Sequence, residues 1–170
     1  MPEMKIKKRH EILAFYGITY ENEGSTITAY KRMTKFTQLT QNKNPIEYSR
    51  QYIDEAYQFS DVVGYAPTID YAFDAHTNNE VQQDIINITN GEYLGSEAVR
   101  QILVVDTNTG DAVLRSYSVI PSTEGDNANI YTYSGSFKAN SAPTFGEAET
   151  LSDWQQATFT PSGGFIPSAG

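Results

Sequence analysis

Runs of aromatic and β-branched residues, each bounded by turn-forming residues, recur along most of the chain. Such runs are typical of β-strands, and the 12 Tyr and 8 Phe residues strengthen the tendency. The predicted strands cover residues 10–20, 29–39, 46–55, 68–73, 101–105, 112–120, 130–137 and 155–160. Segment 46–55 has apolar residues on both faces, which predicts a strand with two functional faces. The pattern predicts a mainly β protein of about eight strands.

One segment has a different period and predicts an α-helix over residues 78–90. Thr77 and Glu80 have the spacing of a capping box, in which each side chain accepts a hydrogen bond from the other's backbone N–H. The apolar residues of one helical face follow, namely Val81, Ile85 and Ile88. Gly91 is placed to form a left-handed C-cap. We expect the apolar face to pack on the sheet.

One polar segment between predicted strands is expected to project from the body as a hairpin loop. It consists of Thr40, Gln41, Asn42, Lys43, Asn44 and Pro45. Pro45 biases the preceding Asn44 toward extended geometry, which suits a loop that joins two long strands. Residues 61–67 are expected to form a shorter turn.

The two ends of the chain differ from its middle in composition. Residues 1–9 are predicted to form an N-terminal arm, and residues 161–170, rich in Gly, Pro and Ser, a flexible C-terminal tail. The length of 170 residues fits a single domain, 1–170, whose β-body spans 10–160.

Composition excludes several classes of protein. The chain has no Cys, which removes disulfide scaffolds, thiolate metal sites and cysteine nucleophiles. No apolar run approaches the ~20 residues of a membrane span, and residues 1–9 lack the apolar core of an export signal. We therefore expect no membrane partner.

The charge is negative overall and unevenly distributed. The formal net charge is −9; residues 1–50 hold nine basic and five acidic residues (+4), whereas residues 51–170 hold three and sixteen (−13). This balance disfavours binding to DNA phosphates. The polarity along the chain allows two interpretations, head-to-tail association of copies of the protein or charges that are merely scattered over the solvated surface.

Candidate catalytic and metal-binding motifs fail on spacing. Residues 106–111 resemble a calcium loop, but its sixth and twelfth positions are Asp111 and Tyr117 rather than Gly and Glu, so we predict a turn. Asp74 and His76 have no further candidate ligand nearby in the sequence. Nucleophile elbows and phosphate-binding loops are absent from the sequence. We predict no enzymatic activity, no cofactor and no metal.

The tyrosines allow two interpretations. An aromatic platform that stacks on sugar rings would make the chain a β-sandwich carbohydrate-binding module. The tyrosines concerned are Tyr48, Tyr52, Tyr71, Tyr117, Tyr131 and Tyr133. They alternate with polar residues as sheet residues do, which favours cross-strand packing.

The order of the elements adds a family resemblance over residues 10–161. The segments that carry it are Asn44-Pro45, Gln51-Tyr-Ile-Asp-Glu55, Asp61-Val-Val-Gly64-Tyr, the helix, Val119-Ile-Pro-Ser122, Tyr133-Ser-Gly-Ser-Phe137 and Ala157-Thr-Phe-Thr-Pro161. In this order and spacing they resemble the tail tube (major tail) proteins of long-tailed, siphovirus-type phages. The same fold serves contractile-tail tubes and type VI secretion tubes, which remain alternatives.

The resemblance implies a β-sandwich or barrel flanked by one α-helix, and hexameric rings stacked into a tube. It implies a structural virion protein that is made in the bacterial host cytoplasm and forms the conduit for DNA ejection. Its partners would be further copies of itself and the tail terminator, tape-measure and tail-tip proteins, while DNA would cross the lumen without specific binding. Residues 40–45 and the two ends are the expected contacts between subunits.

Overall fold

The computed structural model describes Ile6 and residues 8–22, 24–125, 128–151 and 156–161. In these ranges the chain forms eleven strands and one α-helix, α1, at Glu80–Gly91. Strands β1 to β11 are, in chain order, Ile12–Asn22, Ser25–Arg32, Phe36–Asn42, Pro45–Arg50, Phe59–Tyr65, Thr68–Asp74, Val99–Asp106, Asp111–Glu124, Thr132–Ala139, Thr144–Leu151 and Gln156–Pro161. The predicted mainly β class with one helix is confirmed, with more strands than expected.

Nine of the strands form one sheet that closes on itself. Its order is β10, β11, β2, β1, β7, β8, β9, β6, β3, and β8 also pairs with β10. The double pairing is possible because β8 is long: residues 111–114 pair with β10, whereas residues 117–124 pair with β9. Six strands therefore form a closed ring, and β9, β6 and β3 extend from it as a second layer.

Side chains on opposite faces of the sheet enter two separate cores, because successive residues of a strand point in opposite directions. Phe15 of β1 and Leu103 of β7 lie in the smaller core inside the ring, together with Ala148 of β10. Their neighbours Tyr16 and Ile102 lie in the larger core, which α1 shares with the sheet. Burial on both faces explains the uninterrupted apolar run at residues 102–105 of β7.

Helix α1 closes the larger core. Val81, Ile85 and Ile88 are almost fully buried among aromatic residues of β6 and β9. The N-cap is Asn79 rather than the predicted Thr77, and its side chain accepts a hydrogen bond from the backbone N–H of Gln82. Asparagine caps a helix as well as threonine does, so the start moved by two residues without loss of a cap.

Replacement of Ile85 by Ala is expected to lower the free energy of unfolding by about 2–5 kcal/mol, because it leaves a cavity under the helix. Ile85 is fully buried, whereas Asn87 on the same helix is exposed, so Asn87→Ala is the matched control. Urea denaturation followed by circular dichroism measures both. A loss below about 0.5 kcal/mol for Ile85→Ala would show that this face does not pack.

The predicted strand 29–39 is in fact two strands, β2 and β3. The break falls at Thr34 and Lys35, and Lys35 has a left-handed backbone with φ of 63°. The side chain of Gln82, which is completely buried, donates to both carbonyl oxygens at 3.5 Å. Asn79, the N-cap of α1, makes a shorter bond to the Thr34 hydroxyl at 3.1 Å, so residues at the start of the helix contact the bend from a distant part of the chain. No local sequence signal predicts the bend.

One further expectation in the C-terminal half was wrong, and one strand there was not predicted. Pro121 does not end β8, which continues to Glu124 across an irregularity in its pairing with β9 between Pro121 and Thr123. A proline is tolerated there because a bulged strand leaves one backbone position outside the ladder. Strand β10 was not predicted, because it contains few apolar residues. The predicted arm at 1–9 and tail at 161–170 lie almost entirely outside the described residues.

Candidate assembly surfaces

The predicted projecting loop at residues 40–45 does not exist as such. Residues 40–42 belong to β3 and pair with residues 68–70 of β6. Lys43 and Asn44 lie between β3 and β4, and Pro45 begins β4. Because β3 belongs to the nine-stranded sheet and β4 to the two-stranded sheet, the segment connects two sheets rather than two strands of one hairpin.

The hairpin that projects is formed by β4 and β5, residues 45–65, and we refer to it as the 45–65 hairpin. Its strands pair with each other in a separate two-stranded sheet. The predicted strand 46–55 thus ends at Arg50, and most of the predicted turn 61–67 is strand. The β-branched and aromatic residues of β5 were the signal that could have revealed it.

The 45–65 hairpin exposes an unusual amount of apolar surface. Of the sixteen exposed large apolar residues in the described part of the chain, nine lie in it. They are Ile46, Tyr48, Tyr52, Ile53, Tyr57, Phe59, Val62, Val63 and Tyr65. Exposed apolar side chains concentrated in one hairpin to this extent indicate an interaction site.

One face of the hairpin is organised around Arg50. Its guanidinium lies 2.7 Å from a carboxylate oxygen of Asp61 on the opposite strand and donates to the Tyr52 hydroxyl at 2.9 Å. It also lies within 6 Å of the ring centres of Tyr48 and Tyr52. The cation and the two rings attract each other, so this face holds a defined shape although it is exposed.

The tip and the base of the hairpin are both fixed by hydrogen bonds. At the tip, the backbone N–H of Glu55 donates to the Tyr52 carbonyl, and the Gln51 side chain donates to the Glu55 carbonyl. At the base, Asn44 bonds Ala66 twice, accepting from its N–H and donating to its carbonyl, each at 3.1 Å. The hairpin is therefore held at both ends, and its tip presents Ile53 fully exposed.

A second surface is a basic cleft of about 670 Å³ between the start of β1 and the connection from β2 to β3. Arg9, Arg32 and Lys35 lie around it, and the described residues that line it include no acidic side chain. Met33 and Leu39 contribute an apolar floor. We call this surface the basic cleft.

Hydrogen bonds join both walls of the basic cleft to the rest of the fold. Arg9 donates to the carbonyls of Ile12 and Leu39 at 2.7 and 3.1 Å, which ties the start of β1 to β3. On the opposite side, Gln82 fixes the backbone at Thr34 as described above. Asn79 also donates to the Thr34 hydroxyl at 3.1 Å. Arg32 and Lys35 make no ion pair among the residues that the structure describes.

A polar network anchors α1 at the edge of the larger core. Asp84 accepts hydrogen bonds from the Tyr16 hydroxyl and from Arg100 Nε, the latter at 2.8 Å. Burial, followed by the neighbouring Asp84 carboxylate, raises the pKa of Tyr16 well above its usual value. The arrangement joins the helix to β1 and β7, which is a structural use of three titratable groups.

The candidate catalytic and metal-binding residues do not form a site. Gly110 donates its N–H to the Asp106 carbonyl and Asn108 donates its N–H to the Asp106 side chain, as in a turn. The ring Nδ1 of His76 lies 2.7 Å from the carbonyl of Asp74. In the described ranges no three His, Asp or Glu residues lie close enough together to hold a metal ion.

The six tyrosines considered above divide into two groups. Tyr71, Tyr117 and Tyr133 are buried in the larger core, which is the cross-strand packing that the alternation predicted. Tyr48, Tyr52 and Tyr131 are about half exposed. The two on the 45–65 hairpin, Tyr48 and Tyr52, each have the Arg50 guanidinium over one face of the ring, so that face is not available to stack on a sugar.

Comparisons with known proteins identify the fold but no sequence family. No protein-family model matches the chain, and no curated protein sequence matches it significantly. A chain from the tail of an empty GTA particle, solved by helical refinement with C6 symmetry, matches with a TM-score of 0.56. The match covers 82% of this chain and 98% of that chain at 10% identity, so what the two share is the fold.

Among the described helices of this chain, none has the length and apolar character needed to cross a membrane.

Proposed function

We propose that the chain is a structural, non-enzymatic tail protein, a tail tube subunit that assembles with copies of itself into stacked rings. The observation that carries the proposal is the fold shared with a chain of a GTA particle tail. The family resemblance of the sequence to tail tube proteins of long-tailed phages supports it independently of that match, because it was drawn from residues alone. Tubes of contractile tails and of type VI secretion systems are the nearest alternatives.

The 45–65 hairpin supports self-assembly. A two-stranded hairpin on its own is at best marginally stable in water, and this one also exposes nine large apolar side chains. Contact with another subunit would remove that surface from water at a gain of roughly 25 cal/mol per Å². A subunit whose projecting part binds a different surface of the next copy forms rings or open stacks, because such contacts are not self-complementary.

The remaining elements of the proposal follow from symmetry and charge. The C6 symmetry of the GTA tail supports six copies in a ring. A conduit for DNA requires a wall that does not hold phosphates, and a net charge of −9 suits this role. Location in the virion, and contacts with tail terminator, tape-measure and tail-tip proteins, are implied by the same resemblance.

Negative-stain electron microscopy of the concentrated protein tests the proposal. We expect rings with a central hole, or tubes, because the hairpin surface is paired only in an assembly. A monodisperse monomer at all concentrations that binds glycans would instead support a carbohydrate-binding module. A high-resolution map of the tube would test the conduit separately, since a channel lined mainly by Lys and Arg would contradict passage of DNA without specific binding.

A further inference from the structure

The tip of the 45–65 hairpin and the basic cleft have opposite charges. The hairpin carries the four carboxylates Glu47, Asp54, Glu55 and Asp61 and a single basic residue, Arg50, so its formal charge is −3. Arg50 is paired with Asp61 in the stem, which leaves the tip carboxylates of Asp54 and Glu55 exposed and without a basic partner among the described residues.

The apolar parts of the two surfaces also match. Ile53 stands fully exposed at the outermost turn of the hairpin, between Tyr52 and the two tip carboxylates. The basic cleft has the complementary arrangement, with Met33 and Leu39 at its floor and basic side chains at its rim. A buried apolar contact surrounded by charged pairs is the usual anatomy of a protein interface.

We propose that the hairpin tip of one subunit docks in the basic cleft of a second copy of this chain. Ile53 lies on the apolar floor, and Asp54 and Glu55 pair with Arg32 and Lys35. The proposal rests on the proposed function, self-assembly, and adds to it the surface that receives the hairpin. Since every copy carries one tip and one cleft, the contact is head-to-tail and can repeat around a ring or along a stack.

Rigidity on both sides favours this contact over a looser one. The tip turn is closed by two hydrogen bonds, and the backbone at Thr34 and Lys35 is held by Gln82. Little conformational freedom is lost when two ordered surfaces meet, so more of the interaction energy appears as affinity. The charges align the two copies and make the contact sensitive to salt.

Site-directed crosslinking tests the contact directly, because the chain has no cysteine of its own. We expect Ile53→Cys combined with Gln38→Cys, which lines the basic cleft, to give a ladder of dimers and higher oligomers with a short bismaleimide reagent. The control pair combines Ile53→Cys with Lys138→Cys, which is exposed on β9 outside the cleft. Equal ladders from both pairs, or a ladder from the control alone, would overturn the proposal.

Charge reversal tests the pairing. We expect Asp54→Lys/Glu55→Lys and Arg32→Glu/Lys35→Glu each to weaken assembly by about tenfold or more, and an equimolar mixture of the two variants to restore it. Glu92→Lys/Glu97→Lys makes the same charge change as Asp54→Lys/Glu55→Lys, but at exposed positions after α1, and is the matched control. If Arg32→Glu/Lys35→Glu does not fold, Lys35→Glu alone replaces it, because Lys35 is exposed and its side chain supports no described contact.

The outcomes separate this proposal from the function on which it rests. Failure of the unmodified chain to form rings or tubes would refute self-assembly. Assembly of the unmodified chain together with normal assembly of both reversed variants would refute the docking alone. Loss of assembly in each variant without recovery in the mixture would show that the two surfaces matter but do not meet, which also refutes the docking.

Discussion

Replacement of residues 47–63 by Asn-Gly is expected to abolish assembly and to leave the rest of the chain folded. The change removes seven of the nine exposed apolar side chains of the 45–65 hairpin. A two-residue turn then joins Ile46 directly to Gly64, with which it pairs across β4 and β5. No hairpin residue belongs to either core within the described residues, so the free energy of unfolding should change by less than about 1 kcal/mol. Sedimentation velocity and electron microscopy measure assembly, and urea denaturation measures the fold.

A control distinguishes loss of the hairpin from loss of exposed apolar surface in general. Leu94 is 81% exposed and lies after α1, away from the hairpin in sequence. Leu94→Ser should leave assembly unchanged. Tubes formed by the shortened chain would contradict the role assigned to the hairpin. A shortened chain that fails to fold would show instead that the hairpin belongs to the subunit's own stability.

The sequence predicted those elements whose signals are local. Helix α1 has a cap, an apolar face and a C-terminal glycine close together in the sequence, and its predicted and observed bounds differ by at most two residues. The left-handed residue at its end is Glu92, with φ of 51°, rather than the predicted Gly91. The β7–β8 hairpin was equally clear, since a turn at 107–110 separates two apolar runs.

The elements that were missed depend on distant contacts. The bend between β2 and β3 is held by Gln82, and β10 acquires its place by pairing with β8 and β11. The loop at 40–45 was misread for a related reason. Asn44-Pro45 does mark a change of direction, and Asn44 has a positive φ of 45°, but the change leads from one sheet to another. Local turn signals do not specify which strands pair.

The same limit applies to the candidate assembly surfaces. The charge difference between the two parts of the chain was visible in the sequence, and head-to-tail association was one of the two interpretations that it allowed. The sequence did not show that Arg9 lies beside Arg32 and Lys35 in one cleft, because Arg9 is distant from them in sequence and only the fold brings them together. It also placed the projecting loop several residues too early, so the tip carboxylates were assigned to a strand.

High pH is expected to destabilise the subunit through its buried tyrosines. Burial raises the pKa of Tyr71 to about 12, and burial next to the Asp84 carboxylate raises that of Tyr16 well above its usual value. A raised pKa means that the fold favours the neutral phenol, so this stability is complete below pH 10 and is lost as the pH rises toward 12. Tyr71 alone should account for roughly 2–3 kcal/mol by pH 12, since each pKa unit corresponds to about 1.4 kcal/mol.

Urea midpoints between pH 8 and 12 measure the loss, and Tyr71→Phe, which keeps the ring but cannot ionise, should lose correspondingly less. An identical pH profile for Tyr71→Phe would contradict this account and assign the alkaline loss to general charge repulsion.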